Sequence, residues 1–459
     1  MNSPEHPLIQ AYRSFSPTSA LRAERARTVF PGGDTRSSAH YGPYPLVMDH
    51  AEGAHLTDVD GNVVLDFMNN FTSLIHGHAH PAVVDAVQRQ VAQGSAYAAP
   101  SMDQIELAEL IVKRVPSIQQ MRFTSSGTEG TQMAIRAARA ATGRQKIMKM
   151  EGGYHGSYEL AEVSLVPLPN ESGPLDAPVS QPVDASFPNS VLADTVICPY
   201  NETAIARTLI EAHAADLAAV IVEPVLGSMG MVPATTEFLQ ALRDATAAHD
   251  IVLIFDEVIT LRLNAGGAQT PHGITPDLTC MGKIIGGGLP VGAMGGKREL
   301  MQLFSPEQER PVMHASTFSG NALTMAAGLA AMQNYDQDQA TRINELGEQL
   351  RKGFNGVFQQ AGLRARAMGK GSLTNVMFSD GPVNNARDFI AATLQAGHIP
   401  KLLHLTMLRH GVMSATRLMY CISTAMDQSG IQQAVAAMAA SVEELVPYIT
   451  AERPGLLAV

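Results

Sequence analysis

Between about residues 105 and 300 the chain alternates apolar runs of strand length with amphipathic stretches of helix length. Few folds accommodate that rhythm. A strand that is apolar at nearly every position must be covered on both faces, and a helix returning between two such strands makes them parallel. Residues 217–224 read as one buried strand and 251–255 as the next. Between them Phe238, Leu239, Leu242 and Ala245 recur at the spacing of one helical face. The expectation is an α/β domain with a mostly parallel central sheet covered by helices.

The flanks read differently. Before about residue 75, short strand-like pieces and turns dominate, such as 56–65 with its Asp60-Gly61 turn. After about residue 320 come helical stretches at 322–332 and 343–358, then a strand-like return near 417–422. The division expected is 1–75 and 321–459 as two parts of one smaller α+β domain, and 76–320 as the large domain. Residues 166–187, rich in Pro, Ser and Asp without periodicity, read as a surface excursion and a candidate flap over a site.

Composition removes several classes of function. With 45% hydrophobic and 16% charged residues, the 459-residue chain is not disordered and can bury a large core. A formal net charge of −11 without any Lys/Arg-rich block argues against nucleic acid or an anionic membrane as partner. No uninterrupted apolar stretch has the length of a membrane span. The opening Met1-Asn-Ser-Pro-Glu-His-Pro7 lacks the basic and apolar regions of a signal peptide. Cys198, Cys280 and Cys421 are far apart and odd in number, so no disulfide framework is expected and the expected location is cytoplasmic.

Within this frame Lys283 is oddly placed, in the apolar, glycine-rich run Met281-Gly-Lys-Ile-Ile-Gly-Gly-Gly-Leu-Pro290. Desolvation lowers the pKa of an ammonium, which is what an amine needs to attack a carbonyl and form a Schiff base. Asp256 ends the run Ile251-Val-Leu-Ile-Phe-Asp256. A carboxylate there can hold a pyridinium nitrogen, the recurring partner of a Schiff-base lysine in pyridoxal phosphate enzymes. Taken singly, the two residues read equally as a loop lysine and a helix-capping aspartate.

A phosphate cradle completes the set. Ser126, Gly127 and Thr128 lead a strand end into a helical stretch, where backbone N–H groups, hydroxyls and the helix dipole can gather on an anion. Alone, the triplet is an ordinary N-cap. Thr317, ahead of another helix, is a second anchor or a simple cap. Tyr154 offers a face to stack on a cofactor ring, with Gly152 and Gly153 allowing close approach. Glu223 ends its strand, either near the ring hydroxyl or ordering the surroundings of Asp256. His155 reads as a positioning residue. His76, His78 and His80 alternate as metal ligands can, but Gly77 and Pro81 point to a turn and no Cys or acidic ligand stands nearby. No metal is expected, and His76 is placed in the substrate pocket instead.

Seven pieces, Ser126-Gly-Thr-Glu129, Gly153-Tyr-His-Gly156, Pro199-Tyr-Asn201, Val222-Glu-Pro224, Phe255-Asp-Glu-Val258, Gly282-Lys283 and Thr317-Phe318, carry a resemblance over nearly the whole chain. In kind and order they resemble the class III aminotransferases, fold-type-I enzymes that use pyridoxal 5′-phosphate. The resemblance implies that fold and that cofactor. It implies that Lys283 forms the Schiff base, Asp256 pairs with the pyridine nitrogen, Tyr154 and Val258 sandwich the ring, and Gly127 and Thr128 bind the phosphate. It also implies that Thr317 reaches the phosphate of a neighbouring subunit, so that a homodimer shares its active sites. The activity implied is ping-pong transfer from a small-molecule amine donor to a keto acid acceptor.

Arg36 and Arg417 are the candidates for binding carboxylates, although each alone could be a surface ion pair. The glutamate-1-semialdehyde aminomutases form a similar subgroup, but their early Pro-Gly-Gly segment continues differently and they lack an arginine at the place of Arg417. Aminotransferases of aromatic β-amino acids carry both arginines and resemble this chain better. One arginine would hold the β-amino acid's carboxylate and the other that of 2-oxoglutarate. An aminomutase and an epimerase are the alternatives on the same scaffold.

Overall fold

The computed structural model describes residues 6–458. Met1–Glu5, the start of the segment read above for a signal peptide, lie outside the described residues. Seven strands form the central sheet, in the order Gln120–Thr124, Gly292–Gly296, Leu278–Gly282, Val252–Asp256, Leu217–Val222, Lys146–Met150 and Thr195–Cys198. Neighbours within the last five are parallel, while Gly292–Gly296 runs antiparallel to both of its neighbours. The composition of that strand, Gly-Ala-Met-Gly-Gly, explains its place. A Cβ on Gly292 would lie 1.9 Å from the Ser126 carbonyl oxygen, so only glycine lets the helix Gly127–Thr142 start directly against the sheet.

The expected strand at 217–224 is Leu217–Val222, buried at every residue. The helix after it spans Thr236–Ala248, with Phe238, Leu239, Leu242 and Ala245 all buried and the Thr235 side chain accepting from the Phe238 N–H as its cap.

The two ends of the chain meet. Met48–Glu52, His55–Asp58 and Val63–Asp66 form an antiparallel meander, and Val412–Met413 adds to its edge parallel to Val63–Asp66. The turn between the second and third strands uses Gly61 at φ +84°. A second small sheet joins Arg366–Lys370, Leu373–Met377 and Met419–Cys421. One core cluster packs Leu65 and Phe67 with Phe354, Leu418 and Met438, and reaches Met281 and Ile284 beside Lys283. The final helix, Gln428–Glu452, is long and apolar enough to cross a membrane by length and composition alone. It contains Pro447 and buries Ile431, Ala434, Met438, Val442, Leu445 and Ile449 in that core.

Candidate active site

Five parallel strand ends deliver the chemistry to one edge of the sheet, where ligands of open α/β folds bind. Gln120–Thr124 leads into Ser125-Ser126, Lys146–Met150 into the loop bearing Tyr154 and His155, and Leu217–Val222 into Glu223. Val252–Asp256 ends on the aspartate, and Leu278–Gly282 ends just before Lys283. They surround a cavity of about 540 Å³. Ser126, Gly127, Thr128, Tyr154 and His155 line it, as do Glu223, Asp256, Val258, Lys283 and Arg36.

The cradle is a helix start capped from two sides. The Ser126 hydroxyl accepts from the Glu129 N–H at 3.2 Å, and Glu129 accepts in return from the Ser125 N–H at 2.9 Å. The serine side chain therefore fixes the helix start, and the first residues of the helix, Gly127 and Thr128, face the cavity. A Cβ on Gly127 would come within 3.1 Å of Val258, so the cradle and that apolar wall are packed to one another.

Asp256 is buried and aimed. One carboxylate oxygen accepts from the Val258 N–H at 3.1 Å, and the other lies 2.8 Å from His155 Nδ1. Burial pulls the His155 pKa down while Asp256 raises it, and the Nδ1 proton is directed at the carboxylate. This contact sets His155 directly against Asp256. Glu223 accepts from the Tyr154 N–H at 3.0 Å and the Gly227 N–H at 3.1 Å, which makes it the organiser of the Tyr154 loop. Burial, and then the nearby Asp256 charge, push its pKa up to about 8.

Lys283 follows an extended Gly282 and has φ +49°, a left-handed backbone that costs a non-glycine residue roughly 1–2 kcal/mol. Burial lowers its pKa to about 8, helped by the charge of Arg417 and opposed by Asp256 and Glu223. Strain and a depressed pKa on one amine mark a functional lysine.

Arg417 does not line the cavity, yet its charge acts on Lys283. Its Nε is buried without a hydrogen-bond partner, and Nη2 lies 3.6 Å from Met419 Sδ. Its guanidinium sits 5.8 Å from the centroid of the Phe71 ring, and that of Arg36 sits 5.9 Å from the same ring. Arg36 also donates to Asn70 Oδ1 at 2.9 Å. Neither Asn70 nor Phe71 stood out in the sequence, because Asn69-Asn70 tolerates the left-handed region without announcing a run of four such residues.

Two chosen residues lie elsewhere. His76 belongs to a neighbouring cavity, where Nδ1 meets Thr424 Oγ1 at 2.7 Å and Nε2 meets the Ala331 carbonyl at 2.9 Å. With both nitrogens engaged, it packs against His80 and is not a wall of the Lys283 cavity. Thr317 is exposed in the single chain and outside the cavity, although the adjacent Ser316 hydroxyl lies 3.3 Å from that of Ser125. The histidine triplet does not converge, since His78 pairs with Asp66 at 2.8 Å while His76 bonds as above. Among the described residues, His6, His398 and Glu452 do bring three potential ligand atoms within 4.8 Å of one another. His6 Nδ1 accepts from the Leu8 N–H, which leaves the proton on Nε2, so the trio is an ion-pair cluster and not a metal-ready set.

A buried charge chain behind the cavity was also missed. Lys149 is fully buried, donates to the Val163 carbonyl at 2.6 Å, and has its pKa lowered to about 7 by burial against the pull of Glu223, Glu151 and Glu162. Arg387 grips Glu151 with two bonds of 2.7 and 2.8 Å and donates to the carbonyls of Ser172 and Gly173. The 166–187 excursion is therefore pinned at its middle, and the flap expected from its composition is restrained. Replacing Arg387 by methionine leaves Glu151 buried without its counter-charge. Allowing for the part-exposed arginine, the loss should be about 2–4 kcal/mol, read as a fall in the denaturant midpoint. An unchanged midpoint would show that the pair contributes nothing.

The cavity fits a phosphorylated pyridine aldehyde on its own chemistry: an open helix end for the phosphate, a fixed carboxylate for the ring nitrogen and a low-pKa amine for the aldehyde. Residues 37–445 match the model of the family described as aminotransferase class-III. The chain belongs to that family. It is a fold-type-I enzyme, and its cofactor is pyridoxal 5′-phosphate. Among curated class-III relatives, the glutamate-1-semialdehyde 2,1-aminomutase of Methanopyrus kandleri is 38% identical over 87% of this chain and 91% of its own. An omega-transaminase from Sphaerobacter thermophilus is similar in structure, with TM-score 0.88 and 44% identity over 93% of this chain and 97% of that one. A β-phenylalanine aminotransferase from Variovorax paradoxus superposes with TM-score 0.85 at 34% identity, covering 98% of each chain.

Proposed function

We propose that this class-III enzyme moves an amino group from an aromatic β-amino acid to a keto acid such as 2-oxoglutarate, by a ping-pong mechanism. The observation that carries the reading is the convergence of Arg36 and Arg417 on one ring beside Lys283. Donor and acceptor occupy one cavity in turn, each brings a carboxylate, and two guanidinium groups can serve them. The likeness to the Variovorax paradoxus enzyme supports the β-amino acid.

Bound pyridoxal 5′-phosphate supplies a carbonyl that condenses with amines and a ring that takes up electrons. In this reading the Gly127 and Thr128 N–H groups hold the phosphate, Tyr154 and Val258 cover the two faces of the ring, and Asp256 keeps a proton on the ring nitrogen. Lys283, once its amine is free, would take the proton from the substrate carbon that bears nitrogen and pass it to the bound cofactor, and would run the same transfer in reverse with the acceptor. The cofactor residues lie in 76–320, whereas Arg36 and Arg417 come from 1–75 and 321–459, which we take as a separate, specificity-bearing lobe. The exposed Thr317, flanked by Phe318 (60% exposed) and Met313 (65% exposed), supports a homodimer in which it reaches the partner's phosphate. The three buried, free cysteines agree with a cytoplasmic setting.

The Methanopyrus kandleri relative favours a second reading, an aminomutase that shifts the amino group within one molecule. One measurement separates them. Mixed with β-phenylalanine and no acceptor, the holoenzyme should lose its cofactor absorbance stoichiometrically and regain it with 2-oxoglutarate. Turnover of a semialdehyde with no second substrate, and no bleaching by the β-amino acid, would decide for the aminomutase.

A further inference from the structure

Four consecutive residues, Asn69, Asn70, Phe71 and Thr72, have φ of +46°, +46°, +55° and +72°, a left-handed helical turn without a single glycine. Single residues visit this region, but runs of them do not unless the surroundings over-determine them. Here they do. Asp66 accepts from the Met68 and Asn69 N–H groups at 2.8 and 2.9 Å, and Asn69 donates to the Cys421 carbonyl at 3.0 Å. The Cys421 N–H in turn donates to the Phe67 carbonyl at 2.6 Å. Strain held so firmly in a core usually serves a site, and what this turn delivers is the Phe71 ring.

The ring meets two cations of like sign. Arg36 and Arg417 each lie within 6 Å of its centroid, the range in which an aromatic quadrupole attracts a guanidinium. Their other support is unequal. Arg36 is exposed and keeps a hydrogen bond to Asn70, whereas Arg417 is more buried and has an unpartnered Nε and a weak contact to Met419 sulfur. We propose that Phe71 is a specificity-determining positioning residue that holds both carboxylate-binding arginines ready beside the cavity, and that Arg417 depends on it more than Arg36 does. This rests on the reading that the two arginines bind the donor and acceptor carboxylates. The left-handed turn separates the duties: Asn70 orients one guanidinium and the next residue carries the ring that steadies both.

The test uses the holoenzyme and both half-reactions, followed by cofactor absorbance with β-phenylalanine and with 2-oxoglutarate. Arg36→Ala and Arg417→Ala first show which ligand each arginine serves. Phe71→Leu keeps most of the packing and removes the aromatic face. It should raise the half-saturation of the ligand served by Arg417 about 10–30-fold and that of the other about 2–5-fold, as expected for desolvated and exposed cation–π contacts. Phe71→Tyr should restore both. Asn70→Gly, which tolerates the backbone, should reverse the order by weakening the Arg36 ligand alone. Thermal midpoint and cofactor content guard against a general structural loss. If neither arginine variant shifts saturation, the functional reading fails and this inference with it. If both do but Phe71→Leu changes each ligand by less than twofold, or Phe71→Tyr is as damaged as leucine, only the role of Phe71 is overturned. A fall in midpoint with saturation unchanged would overturn it equally.

Discussion

A Lys283→Ala variant should lose both half-reactions by about 10³-fold or more, because one side chain supplies the nucleophile and the proton carrier together. The loss should be symmetrical, with donor and acceptor steps falling alike, since the same amine must take a proton from the substrate carbon in one and place a proton on it in the other. A methylamine supplement should recover a small part of the rate by standing in for the missing amine. The pH dependence carries a sign. Burial and the Arg417 charge hold the Lys283 pKa near about 8, below the ordinary lysine value of 10.5. Only the neutral amine attacks a carbonyl, so cofactor uptake by the apo-protein should accelerate as pH rises and level off above about 8. An inflection near that of an exposed lysine would show that the site does not depress the amine. Retention of more than a tenth of wild-type turnover in the alanine variant would remove the lysine from the chemistry.

Asp256→Asn is the second large effect. Asparagine can still accept the His155 Nδ1 proton through its carbonyl, but its amide then faces the Val258 N–H, and two donors meet where one bond stood. The ring nitrogen loses its anionic partner. A fall in kcat of about 10²–10³-fold is expected, with cofactor still bound through the helix end and Lys283. Absorbance should report near-stoichiometric cofactor in the purified variant. Unchanged turnover would falsify the assignment of Asp256 as the group that keeps the ring protonated. Cofactor loss in place of rate loss would make the residue an anchor.

Much of this arrangement could be read before any coordinates. The strands at 217–222 and 252–256 announce themselves by unbroken apolar runs, and the helix between them by its period. The cradle, the aspartate and the lysine stand at strand ends, where a short local pattern and its fold context coincide. What escaped reading depends on neighbours distant in the chain. Lys149 sits in the apolar strand Lys146–Met150, and only folding places Glu223 and Glu151 beside it. Arg387 is paired with residues more than two hundred positions away. The Asn69–Thr72 turn has no glycine to betray it; its two asparagines tolerate the left-handed region singly, and a run of four is held there by the bonds to Asp66 and Cys421. His76 failed for the opposite reason: a motif that looked local is consumed by Thr424 and the Ala331 carbonyl.

The sheet that pairs Val63–Asp66 with the late strand Val412–Met413 joins segments made far apart in time. The cavity-lining residues from Ser126 to Lys283 leave the ribosome well before Val412–Met413. Because segments made first tend to fold first, a nascent chain can hold these residues while it still lacks Arg417, one of the two arginines proposed to choose the substrate. In that reading the enzyme would acquire its chemistry before its full selectivity, and a chain halted between these two stages would be a reactive amine with half of its gate.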